Sequence, residues 1–146
     1  MISFKQQLWV VFKIWIIALL LNTITGTAIL GNSGDFADAI DLLLIFGTLY
    51  GSLFSLPVAL ILLLLINRCC SRLATGMWLF WIVLLTGAFC TMATFSVFVW
   101  ITDMHFRETA VLFITALLSG MTAITTQFKA LQKMGNEQFQ PESFSF

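Results

Sequence analysis

The stretch LLINRCCSRLA, residues 64–74, decides the fold, because it places two arginines and two adjacent cysteines between two of the longest apolar runs in the chain. Arg68 and Arg72 flank the cysteine pair. Charged residues at this spacing are typical of a short loop between two membrane-spanning helices. The segment therefore predicts the point where one helix ends and the chain turns back into the next.

The composition of the whole chain supports a membrane setting. Of 146 residues, 60% are hydrophobic, and seven acidic and seven basic residues carry all the side-chain charge. A soluble domain of this size needs a more charged surface, since most of its residues lie near water. The lipid bilayer is thus the expected partner, and the net charge of zero gives no basic surface for nucleic acid.

Four apolar runs are long enough to cross a bilayer, which takes about 20 helical residues. They cover residues 8–31, 40–66, 76–101 and 108–131. The first also loosely resembles a signal peptide, but it is longer than a typical signal core and lacks a convincing cleavage site. We predict an all-α fold, a four-helix transmembrane bundle over residues 1–133, with a disordered cytoplasmic tail over residues 134–146.

The loop charges predict the orientation of the bundle. Six of the seven basic residues fall on one side of the predicted membrane, and Arg107 alone falls on the other. Short loops rich in Lys and Arg stay in the cytoplasm. We therefore expect both ends of the chain in the cytoplasm, in a multi-pass protein of the cell membrane. The six cytoplasmic residues are Lys5, Lys13, Arg68, Arg72, Lys129 and Lys133.

The Cys, His, Asp and Glu side chains are not arranged in a pattern that favours a cofactor or metal site. A zinc site needs about four ligands, and no further Cys or His lies on the side of Cys69 and Cys70. A disulfide is disfavoured in a reducing cytosol, so inert thiols are expected, with a redox or acylation site as the alternative. On the other side, helix-capping roles explain most of an acidic cluster, and a cation site is the alternative. That cluster comprises Asp35, Asp38, Asp41, Asp103, His105 and Glu108.

The second run carries a strip of small residues at spacings of four: Gly47, Gly51, Ser55 and Ala59. Small residues in this register let two helix backbones approach closely in lipid. We expect the strip to pack against a helix of the same chain, and packing against a second copy is the alternative. Gly47 and Gly51 are further expected to form the closest contact between helices in the molecule.

The fourth run carries a polar stripe. Its spacings of four, three and four place the stripe on one helix face: Thr115, Ser119, Thr122 and Thr126. Asn22 gives the first run a polar group near the middle of the membrane. Hydrogen bonds between helices explain such residues, and a narrow polar path lined by Asn22 and the stripe is the sharper hypothesis.

The missing residue types narrow the function. The single histidine excludes bis-histidine haem within one chain, and no carboxylate lies near mid-membrane to centre a proton relay. We therefore expect a non-enzymatic subunit or regulator that packs its helices against partners, in a homo-oligomer or a larger membrane complex. The alternative is an oligomeric channel, carrier or membrane-permeabilising effector with a polar path lined by the fourth run.

Overall fold

The computed structural model describes residues 3–31, 40–70, 76–102 and 106–137, and these ranges form five helices. Helix α1 spans Phe4–Gly31, α2 spans Ile40–Cys70 and α3 spans Gly76–Thr102. Helix α4 spans Phe106–Thr126 and α5 spans Phe128–Glu137. The all-helical prediction is confirmed for this part of the chain.

The first four helices form a ring in which α1 and α3 each contact α2 and α4. Helices α1, α2 and α3 are long and apolar enough to cross a membrane, and a fourth span results if α4 and α5 count as one bent segment. Large apolar side chains cover the outside of the ring, for example Leu85, Phe89 and Trp100. This surface suits contact with acyl chains, as in a multi-pass membrane protein.

The fourth span differs from its prediction. Residues 108–131 were expected to form one continuous helix, but the axis bends by 52° at Gln127, between α4 and α5. The hydroxyls of Thr125 and Thr126 donate hydrogen bonds to the carbonyls of Met121 and Ala123. Hydroxyl-to-backbone bonds of this kind compete with the helix ladder and bend helices.

Two other boundaries also differ. Helix α2 continues through Cys70, so the two cysteines belong to the last turn of a helix rather than to the loop. Helix α5 ends at Glu137, four residues into the segment predicted to be a disordered tail. Residues 138–146, the remainder of that tail, lie outside the described residues.

The tightly packed core lies at one end of the ring, where α1 and α3 begin and α2 and α4 end. Ile66, Leu79, Val83 and Leu131 are almost fully enclosed there. We call this the closed end. The five described basic residues of the predicted cytoplasmic side belong to helix segments at this end, whereas Asp41 begins α2 at the opposite end. This grouping agrees with the charge pattern, and the orientation itself stays a prediction.

Helix α5 covers the closed end beside α3. Its apolar residues Leu131 and Met134 are buried, and the rings of Phe80 and Phe128 meet edge to face with centroids 4.8 Å apart. The backbone N–H of Gly76 donates a hydrogen bond to Oδ1 of Asn136, 3.0 Å away. Since the first N–H groups of a helix have no partner within it, Asn136 satisfies one of them from a different helix.

A candidate ligand cavity between the helices

The four ring helices line a half-open cavity of about 640 Å³. On α1 its wall runs from Val11 to Thr27, which at 1.5 Å per residue is a length of about 24 Å. The buried core closes it at the closed end. Tyr50 lines the cavity and is 53% exposed, so the cavity opens to the surroundings at that level of α2.

All four residues of the predicted small-residue strip line this cavity on α2, and three of them contact α1. A Cβ atom built on Gly51 would lie 3.0 Å from Cδ1 of Leu19, and one on Gly47 would lie 3.6 Å from Cγ2 of Thr23. Nε1 of Trp15 donates a hydrogen bond of 2.8 Å to Oγ of Ser55. The strip therefore packs within the chain, and assembly with a second copy stays a prediction.

The strip is not, however, the site of closest approach between helices. A Cβ on Gly76 would overlap the backbone of Gln132 in α5, at 2.6 Å from its Cα and 2.7 Å from its carbonyl carbon. At Gly51 the nearest atom is the far end of a flexible leucine side chain. The prediction for Gly47 and Gly51 is wrong in this respect, because backbone meets backbone at the α3–α5 contact instead.

Replacing Gly51 by leucine is expected to destabilise the bundle by about 1–3 kcal/mol, because the new Cβ would lie 3.0 Å from Cδ1 of Leu19 and the Leu19 side chain must move. The measurement is unfolding in mixed detergent micelles, followed by tryptophan fluorescence. Leu53→Ala on the opposite face is the control, since Leu53 is 64% exposed and surface changes usually stay within about 0.5 kcal/mol. Equal stability of Gly51→Leu and the wild-type protein would contradict the α1–α2 contact.

The structure does not bring the predicted polar path together. Asn22 lines the cavity, but the four hydroxyl residues of α4 are not among its lining residues. Thr115 and Ser119 are buried elsewhere, and Thr122 and Thr126 are exposed. The α4 wall is instead the neighbouring face of the helix, formed by Leu112, Ala116, Gly120 and Ile124 together with Leu117 and Met121.

The sequence feature that marks this wall of the cavity is its small side chains and not its polar ones. Ala116 and Gly120 are four residues apart on α4, and Gly87 and Ala88 face the same cavity from α3. Short side chains from each of the four helices line the cavity. The size of the cavity depends on all four helices at once, and no single run of sequence predicts it.

The cavity wall is uncharged over the part of the chain that the structure describes. Most of its surface is apolar, with scattered hydroxyls and the amide of Asn22. The hydroxyl oxygen of Thr23 is buried and has no hydrogen-bond partner among the described residues. Asn22 likewise makes no hydrogen bond with the other described residues. Two adjacent polar side chains on α1 thus lack partners at one level of the wall.

The cavity is half open, so molecules of a surrounding bilayer have access to it. Apolar cavities stay dry rather than filling with water. A hydrocarbon chain from the bilayer, or an apolar ligand, is therefore the occupant that the wall favours.

The remaining sequence candidates lie away from the cavity. Cys69 is a free, half-buried thiol, and the described residues hold no group of three or more His, Cys, Asp or Glu side chains that could bind a metal ion. The alternative cation site combines Asp103 and His105 with Asp38 or Asp41, and of these four only Asp41 lies within the described residues. Lys13 lies 5.2 Å from the ring centroid of Trp9, a cation–π contact near the closed end.

Comparison of the chain with protein-family models, with curated proteins and with solved structures gives no match. The geometry of the chain itself therefore carries the functional argument.

Proposed function

We propose that this chain is a non-enzymatic membrane protein that holds a lipid-like molecule between its four ring helices. It would act in the cell membrane as a binding subunit or regulator, alone, as a homo-oligomer or in a larger membrane complex. The observation that carries this proposal is the 640 Å³ cavity, apolar over most of its wall and open beside Tyr50. Pockets of about 300–1,000 Å³ with apolar walls and a few polar groups are typical ligand sites.

The wall chemistry supports binding rather than catalysis. Covalent catalysis requires a nucleophile beside a base, and the described lining residues include hydroxyls but no His, Cys, Lys, Asp or Glu. The hydroxyl of Ser55 already accepts a hydrogen bond from Trp15 and donates one to the carbonyl of Gly51. A binding role needs only the shape and polarity of this wall.

The arrangement gives less support to a channel along the axis of one bundle. Water or ions would have to pass the closed end, where Ile66, Leu79 and Val83 are almost completely enclosed by apolar neighbours. A pore would then need several copies, and no observation on the described residues favours one. A carrier that receives its ligand through the side opening remains compatible with the cavity.

The proposal can be tested with dodecane carrying a photoactivatable diazirine, added to the full-length protein in lipid nanodiscs. Gly120→Leu should lower labelling of cavity-wall peptides severalfold, because a Cβ there meets nothing closer than Thr91 Oγ1 at 4.0 Å and the side chain can grow into the cavity. Ala93→Leu is the matched control on the exposed surface of α3. Labelling confined to lipid-facing residues in the wild-type protein would refute the proposal.

A further inference from the structure

We propose that the ligand is an uncharged lipid with a hydrocarbon chain and one hydroxyl or carbonyl oxygen, which hydrogen-bonds to the side-chain amide of Asn22. This inference rests on the proposed function, because it names the class of molecule that the same cavity binds. Three features carry it: the length of the cavity, the absence of charge on its described wall, and the two unpartnered polar side chains at one level of α1.

The length of the cavity suits a hydrocarbon chain. The cavity extends for about 24 Å along α1. From the level of Val11 to that of Asn22 the rise is about 16 Å, close to the extended length of dodecanol.

Because the described wall of the cavity is uncharged, it favours an uncharged ligand. A carboxylate or phosphate drawn into an apolar space without a partner is strongly disfavoured. No charged side chain of the described residues lines the cavity. A free fatty acid in its ionised form would thus lack a counter-charge, whereas an alcohol, ester or ketone would not need one.

Asn22 supplies the polar recognition. It lies nine residues beyond Lys13 on α1, a rise of about 13.5 Å, which is near the middle of a hydrocarbon core about 30 Å thick if Lys13 extends to the headgroups. An amide without a partner at this depth is unfavourable. A ligand oxygen would accept from its NH2 group, and a ligand hydroxyl could also donate to its carbonyl. Rotation of Thr23 about χ1 offers a second hydroxyl at the same level.

The test uses competition against the diazirine-dodecane label at the cavity wall, with dodecanol, dodecane and dodecanoate at alkaline pH as competitors. Asn22→Leu should weaken competition by dodecanol about threefold to tenfold and leave dodecane unchanged, which also reports that the variant is folded. Dodecanoate should compete much more weakly than dodecanol in the wild-type protein. Asn67→Leu, at an exposed asparagine away from the cavity, should change none of these values.

The outcomes separate the two proposals. If diazirine-dodecane labels the cavity but Asn22→Leu leaves dodecanol competition intact, or dodecanoate competes as well as dodecanol, the inference about the ligand is wrong and lipid binding stands. If the cavity is not labelled at all, the proposed function fails first. A loss of dodecanol affinity in Asn22→Leu with unchanged dodecane affinity supports both.

Discussion

Replacing Gly76 by alanine is expected to release α5 from the start of α3. The added Cβ would overlap the backbone of Gln132, and backbone cannot rotate away as the end of a side chain can. Overpacking typically costs about 1–3 kcal/mol, which corresponds to roughly fivefold to 150-fold more of the opened state. Limited trypsin digestion of detergent-solubilised protein measures this opening, because Lys129 and Lys133 on α5 become cleavable when the helix separates.

Gly120→Ala is the matched control for this experiment. It makes the same chemical change in a helix, but the nearest atom to the new Cβ is Thr91 Oγ1 at 4.0 Å, an ordinary contact. Alanine favours a helix over glycine by about 0.5–1 kcal/mol, so this variant should be as stable as the wild-type protein or more so. Similar trypsin rates for the Gly76→Ala, Gly120→Ala and wild-type proteins would show that α5 does not pack against α3 as described.

The sequence predicts the helical spans well, because the signals are strong and local. Long apolar runs bounded by charged or small residues place the starts of α2 and α3 at residues 40 and 76, as observed. The same signals fail at Gln127. Thr125, Thr126 and Gln127 are acceptable in a membrane helix. Hydroxyl-to-carbonyl bonds like those of Thr125 and Thr126 also occur within the unbroken helices α2 and α3, so no local signal predicts the bend.

Contacts between helices are harder to predict from sequence, because each contact depends on a residue of another helix that is distant in the chain. Gly51 and Ser55, four residues apart on α2, meet Leu19 and Trp15 of α1. Gly76, by contrast, appeared only as a residue after a loop, and nothing near it in sequence points to Gln132, 56 positions away. On α4 the polar stripe is the stronger sequence signal, whereas the cavity is lined by the neighbouring small residues Ala116 and Gly120.

The contact between α3 and α4 gives the second large expected effect. Gly87 is buried, and a Cβ built on it would lie 2.8 Å from Cδ1 of Ile124, whose side chain is only 3% exposed. Gly87→Ala should therefore destabilise the bundle by about 1–3 kcal/mol through overpacking. Ile124→Val removes the Cδ1 methyl that stands in the way, and by itself should cost about 0.5–1.5 kcal/mol.

The double variant decides whether this contact is real. If the two atoms compete for one space, Gly87→Ala combined with Ile124→Val nearly conserves volume, and its stability should approach that of the wild-type protein instead of showing the sum of two losses. Changes at residues without contact add within about 0.3–0.5 kcal/mol, so strict additivity in detergent unfolding would place Gly87 and Ile124 apart. Recovery of stability in the double variant would instead establish how α3 and α4 are aligned. It would thereby also support the wall of the cavity that Gly87 and Ile124 both line.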